Sequence, residues 1–137
     1  MCDMTTAMAI LKQHGLRATP KRLALLKVLS AAKAPRTAEE LHAAVESDLV
    51  TIYRNLQGLT AAGLVNEVRF KDASVRYEFA HGHHHHIVCT GCGVIEELEA
   101  CATSSLEQEA LRASSRFSRI DEHSLEFFGT CTQCAKR

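Results

Sequence analysis

At 137 residues with 46% hydrophobic residues, the chain suffices for one ordinary domain or two small ones, and its composition excludes a disordered polymer. No apolar run reaches the roughly 20 residues of a membrane helix, and the start Met1-Cys2-Asp3-Met4 lacks a secretory pattern, so a soluble cytoplasmic protein without a membrane partner is expected. The formal net charge of zero hides an asymmetry: 11 Lys and Arg against 8 Asp and Glu through Ala80 give +3, and 5 against 8 thereafter give −3.

The excess of positive charge is concentrated early. Lys12, Arg17, Lys21, Arg22, Lys27, Lys33 and Arg36 follow one another with no acidic residue between Lys12 and Arg36, a distribution suited to a phosphate backbone or, more blandly, to a solvated helix face. Thr19-Pro20 reads as an N-cap with proline at the first helical position, and Leu25, Val28, Leu29 and Ala32 share a face, which predicts a helix over about 20–32. Thr37 and Glu40 form a capping box, so a short second helix starts at about Ala38 and ends near Glu46. After a turn at Ser47 and Asp48, the stripe Leu49, Ile52, Leu56 and Leu59 predicts a third helix to Ala62, with Gly63 as its stop.

Two helices joined by a tight turn form a helix-turn-helix, and Thr51, Tyr53, Arg54 and Asn55 stand near the start of the later one, where base edges are read. Each also admits a structural role: Thr51 as a cap, Tyr53 as part of the core stripe, Arg54 as a partner of Glu46 or Asp48. The β-prone segments Leu64 to Phe70 and Val75 to Phe79, separated by Lys71-Asp72-Ala73-Ser74, predict a hairpin, and a helix-turn-helix followed by a hairpin is a winged helix.

Beyond Ala80 the pattern changes. Short strands are expected at Ile87 to Cys89, Val94 to Leu98, Phe117 to Ile120 and Leu125 to Phe128, with a helix from about Thr103 to Ser114. The pairs Cys89/Cys92 and Cys131/Cys134 each present two thiolates at the spacing a tetrahedral zinc requires, and together they make one closed structural site for Zn²⁺. Of the remaining cysteines, Cys2 is expected to be free and Cys101 to serve as a small buried hydrophobe. Upstream of Cys89 runs His83-His84-His85-His86; in an extended chain the period of two places His84 and His86 on one face and His83 and His85 on the other, enough to feed two sites.

Three motifs together carry a resemblance over nearly the whole chain: Val50-Thr51-Ile52-Tyr53-Arg54-Asn55-Leu56, the run His83 to His86 leading into Ile87-Val88-Cys89, and the spaced cysteine pairs with His123 upstream of the second. In these the chain resembles the ferric uptake regulator family of metal-sensing repressors. The resemblance implies an α+β protein: a winged helix-turn-helix DNA-binding domain over 1–80 and a small α/β metal-binding dimerisation domain over 81–137. It further implies a homodimer on a palindromic double-stranded DNA operator, with Arg17, Lys21, Thr51, Tyr53, Arg54 and Asn55 as the candidate DNA contacts and no small-molecule substrate.

The same resemblance implies a regulatory divalent metal, Zn²⁺, Fe²⁺ or Mn²⁺, held by Glu78, His84 and His86. Many members also use a histidine where this chain reads Ala34-Pro35-Arg36, so Glu67, Asn66, His81 or water must complete the site here. A further site is implied at His83, His85 and His123 with Glu97 or Glu107, between which spacing does not decide. His85 stands where iron sensors commonly carry an aspartate, and the richer nitrogen set favours zinc slightly over iron. Iron-sensing and peroxide-sensing members are the alternatives within the family. Outside it, a zinc-dependent hydrolase is the rival, but HExxH and the HxE…PCxxC pattern are both absent, so no catalytic residue is assigned and the chain is expected not to be an enzyme.

Overall fold

The computed structural model describes residues 3–99, 101 and 103–137, so the expectation for Cys2 lies outside the described residues. The chain divides into two compact units, Met1–His81 and Gly82–Arg137.

The first unit contains helices α1 (Met4–Gln13), α2 (Pro20–Ala31), α3 (Ala38–Ala44) and α4 (Leu49–Ala61) and strands β1 (Arg36–Thr37), β2 (Val65–Arg69) and β3 (Val75–Phe79). Each helix begins the same way. The side-chain oxygen of Asp3, Thr19, Thr37 or Asp48 accepts the backbone N–H three residues on, from Thr6, Arg22, Glu40 and Thr51 respectively, and so satisfies a donor the helix leaves open. Leu11, Leu25, Leu26, Leu41, Ile52, Leu56 and Leu59 from the four helices are fully buried, and Val65 and Tyr77 close the core from the sheet. The sheet order is β1-β3-β2, all antiparallel, with Val65 opposite Phe79 and Asn66 opposite Glu78. This is a winged helix.

Two elements of this unit were not expected. Helix α1 has Asp3 as its cap, Ala7 and Leu11 buried on one face, and Gly15 in a left-handed conformation (φ 74°) just past its end, so its signals are present but spread over one short stretch. Strand β1 is two residues long, too short for any periodicity, and exists because β3 offers it the backbone of Arg76 and Tyr77. At the wing tip Arg76 donates to both oxygens of Asp72 (2.6 and 3.0 Å) and stacks over Phe70, which ties down a turn in which Ala73 has φ 64°.

The second unit contains β4 (His85–Cys89), β5 (Ile95–Leu98), α5 (Ser104–Ala113), β6 (Glu126–Gly129) and the single-turn α6 (Thr132–Ala135). Its sheet order is β5-β4-β6. Strand β4 is central, antiparallel to β5 and parallel to β6, and the parallel pairing is reached by a crossover that carries α5. The expected strand at Phe117 to Ile120 is not formed. Instead the Ser114 hydroxyl accepts the N–H groups of Arg116 and Phe117, a local turn that competes with extension, and Phe117 is exposed.

Among the described residues of this unit only His85, His86, Cys89 and Thr103 are buried. Its interior is thus made of ligand-type and polar side chains. Ile87, Val94, Leu106, Phe117 and Phe127 are exposed, and among the described residues no membrane-length apolar helix occurs.

Within the first unit, core and cap positions respond differently to mutation. Leu56→Ala, at a fully buried position, is expected to lower the stability of the first unit by about 2–5 kcal/mol, against about 1 kcal/mol for removal of the Thr37 cap by Thr37→Ala. Urea unfolding followed by helical circular dichroism measures both, and equal effects would contradict this placement of the core.

Candidate metal centres

The cysteine pairs meet because β4 ends where β6 delivers the chain to α6. Gly93, in a left-handed conformation (φ 79°), closes the turn after Cys89 by donating its N–H to the Cys89 carbonyl at 2.9 Å. On the other side Cys131 caps α6, its sulfur accepting the N–H of Cys134 at 3.4 Å. The four sulfurs of Cys89, Cys92, Cys131 and Cys134 lie within 4.8 Å of one another, and Cys92 and Cys131 are 3.7 Å apart. The edge of a tetrahedron with zinc–sulfur bonds of about 2.3 Å is about 3.8 Å, so the donor set fits zinc. Gly91 is required by the crowding: a Cβ there would come within 3.0 Å of the Cys134 sulfur.

The electrostatics of this cluster are divided. The N–H groups of Cys131, Cys92 and Gly91 point at the Cys89 sulfur and hold its thiol down at about 6. The sulfurs of Cys131, Cys89 and Cys92 around Cys134 push its thiol up to about 12. Four thiolates in this space would repel one another, which suits the donor set to a cation.

The histidine run alternates. The rings of His83 and His85 pack edge to face at 4.7 Å, and those of His84 and His86 at 4.9 Å. On the odd side, His123 approaches with its Nε2 at 3.0 Å from that of His83, while its Nδ1 binds the Glu107 carboxylate at 2.7 Å. Glu107, followed by burial and the neighbouring Cys101 sulfur, sets the balance that raises the His123 pKa above its ordinary value.

Two expectations are corrected here. Glu97 is the register partner of His86, on the face opposite His85, so it does not belong to the His83/His85/His123 cluster; its carboxylate lies within 4.8 Å of a His84 nitrogen instead. Cys101 is not a buried hydrophobe. It is exposed, and its sulfur sits 3.2 Å from the Nε2 atoms of His83 and His85 and 3.4 Å from that of His123. The Thr103 hydroxyl at 3.0 Å, with the His85 ring after it, holds the Cys101 thiol down at about 5. No local motif marks Cys101, because its partners are 16 to 22 residues away and it lacks a second cysteine at CxxC spacing.

Of the even-side residues, His86 is buried and His84 half-buried in the second unit, and Glu78 is buried on β3 of the first. Glu67 pairs with Tyr77, not Glu78, across the hairpin, so it projects from the other face; it is exposed and lies 3.9 Å from Arg69. Asn66 is the residue that shares the face of Glu78.

On the first unit, α4 exposes Val50, Tyr53 and Arg54, with Asn55 half-buried. The Thr51 hydroxyl donates to Asp48 at 2.8 Å and is therefore committed to the helix start. Tyr53 donates to Glu39 at 3.2 Å, joining α3 to α4. Arg17 and Lys21 are exposed, and the charge of Lys21 contributes, after the Thr51 N–H and hydroxyl, to holding the Asp48 carboxyl below its ordinary range.

The profile of the Ferric uptake regulator family matches residues 13–128. The peroxide operon regulator of Bacillus subtilis is 32% identical over 140 residues, covering 98% of this chain and 95% of its own. The ferric uptake regulator of Vibrio cholerae superimposes with a TM-score of 0.74 at 30% identity over 90% of this chain and 98% of its own. The Campylobacter jejuni peroxide stress regulator does so with a TM-score of 0.70 at 29% identity over 93% and 98%. A winged helix followed by a small sheet that gathers cysteine and histidine ligands, matched along nearly its whole length, places this chain in the ferric uptake regulator family, whose members are metal-sensing transcription regulators and not enzymes.

Proposed function

We propose that this protein is a metal-responsive repressor that binds a palindromic DNA operator as a homodimer. The observation that carries the reading is the pairing, in one chain of this family, of a winged helix exposing Arg54 and Tyr53 with a second unit whose buried residues are almost all metal-ligand types. Cys89, Cys92, Cys131 and Cys134 fit a permanent structural Zn²⁺. Glu78, His84 and His86 are the regulatory ligands by likeness to the family, with Glu97 beside His84 and Asn66 beside Glu78 better placed than Glu67 to complement them. A divalent ion bound there supplies positive charge that one carboxylate and two imidazoles share. By likeness to the family, an ion held by these ligands favours the form of the dimer whose two recognition helices are spaced for the operator.

The dimer is supported by apolar surface. No residue of α5 is buried, Leu106 is exposed on it, and Ile87 and Phe127 are exposed register partners on adjacent strands. A second copy would cover this surface. Leu106→Glu is expected to shift the protein toward monomer in sedimentation velocity and to weaken operator binding with it; an unchanged dimer would exclude this face.

Two readings of the stimulus remain. His85, standing where iron sensors commonly carry an aspartate, makes the ligand set richer in nitrogen and slightly favours zinc, whereas the similarity to the Bacillus subtilis regulator favours a peroxide response. Operator affinity of the zinc-, iron- and manganese-loaded protein, before and after hydrogen peroxide, separates them. A zinc-responsive repressor binds tightest with zinc and ignores peroxide; a peroxide-responsive one loses its operator after treatment. His84→Ala and Glu78→Ala are expected to abolish the metal dependence in either case while the four-cysteine zinc is retained, and operator affinity that is the same with and without metal in the unaltered protein rejects both readings.

On the DNA, Arg54→Ala should cost about 1–3 kcal/mol of operator binding and relax specificity at one base pair, whereas Lys21→Ala should weaken all sequences alike and reduce the salt slope by about one. Binding titrations at several salt concentrations distinguish the two effects.

A further inference from the structure

Four donor atoms in the second unit converge on one point. The Nε2 of His83 is 3.1 Å from that of His85 and 3.0 Å from that of His123, and the last two are 3.4 Å apart. The Cys101 sulfur is 3.2 Å from His83, 3.2 Å from His85 and 3.4 Å from His123. All six separations are therefore alike, which is the definition of a tetrahedron. The centre of one with edges of about 3.2 Å lies about 2.0 Å from each corner, the zinc–nitrogen bond length, and only about 0.3 Å inside the zinc–sulfur distance.

Hydrogen bonding does not account for this arrangement. The His83 Nε2 carries at most one proton yet has three partners within 3.2 Å, and the same crowding recurs at every corner. Repulsion between lone pairs would open such a cluster unless a cation sat within it.

The family resemblance already implies a site at His83, His85 and His123 with a glutamate; we propose that Cys101, and not a carboxylate, is its fourth ligand, which closes the site for a thiophilic four-coordinate divalent cation of the zinc class. Glu107 is outside the donor set. Its oxygen binds the His123 Nδ1, the nitrogen turned away from the donor corner, and so fixes the ring and raises its basicity as a carboxylate behind a metal-bound imidazole does. The Thr103 hydroxyl supports the sulfur in the same way. Asp121 and Glu122 line the same open cleft of about 300 Å³, but neither joins the cluster, and Asp121 is engaged by Arg119 at 2.7 Å.

The sulfur decides the ion. Three imidazoles and a thiolate at tetrahedral spacing favour zinc over iron and manganese, which prefer oxygen-rich and higher-coordinate surroundings. All four corners come from the protein, so no position is left open for a substrate. The ligands come from the segment entering β4, the segment before α5 and the segment before β6, and one ion would pin all three in a unit with little apolar core. The site shares no residue with Glu78, His84 and His86, so its failure would leave the regulatory reading standing.

Cobalt(II) titrated into the full chain, prepared with zinc already held by Cys89, Cys92, Cys131 and Cys134, reports the donors directly. The expected result is a cobalt-bound species with intense tetrahedral visible bands and a sulfur-to-cobalt charge-transfer band near the ultraviolet, in addition to any cobalt held by Glu78, His84 and His86, which offer no sulfur. Cys101→Ser should remove the charge-transfer band while retaining the four-cysteine zinc, and Cys101→Asp should bind cobalt without that band. Glu107→Gln should keep the band and weaken binding on the order of 10- to 100-fold. A charge-transfer band unchanged in Cys101→Ser, or weak octahedral cobalt bands alone with no tetrahedral or charge-transfer band in the unaltered protein, would overturn the proposal.

Discussion

Mutual repulsion among crowded donor atoms is the constraint around which the second unit is organised. Its described interior consists of His85, His86, Cys89 and Thr103, side chains that contribute little transfer free energy and are costly to bury without partners. Four sulfurs within 4.8 Å of one another cannot all be anions unless a cation neutralises them, and the opposed tendencies of Cys89 and Cys134 express that conflict within one cluster. A divalent ion bound there would remove the repulsion and supply the cohesion that a larger apolar core would provide. Under the proposed metal loading, folding of this unit and binding of its ions would be coupled.

Strand β4 turns that constraint into direction. It is the central strand, bonded on both sides, and it ends in Cys89, so its register is held by two neighbours and by the sulfur cluster. A register slip of one residue would exchange the faces of all four histidines. Because the register is held, His83 and His85 face His123 and Cys101, while His84 and His86 face the side of Glu97. One run of identical residues thereby serves two chemically different environments, one with sulfur and one with carboxylate.

The first unit obeys different physics. Its stability comes from leucines contributed by four helices, each started by a side-chain cap, and from a three-stranded wing whose tip is fastened by Asp72 and Arg76. Capping also limits the recognition surface. Thr51 is spent on Asp48, which leaves Arg54 as the polar side chain most free to reach outward from the first turns of α4, while Arg17 and Lys21 are exposed around the start of α2.

Local patterns determined much of this protein. Capping boxes and leucine stripes located α2, α3 and α4 to within two residues at their ends, alternation and turn chemistry located the hairpin, and CxxC spacing by itself pointed to a metal cluster. These features are readable because each depends on residues three or four apart, or on a period of two. Tertiary structure alone decided what depends on distant segments: the pairing of β1 with β3, the failure of Phe117 to Ile120 to find a strand partner, and the removal of Glu97 and Glu67 to faces other than those expected. Cys101 is the clearest case. No histidine or second cysteine lies within five residues of it, and its chemistry appears only when the fold brings histidines from 16 to 22 residues away to within 3.4 Å of its sulfur, because a metal site is set by positions in space, which only packing determines.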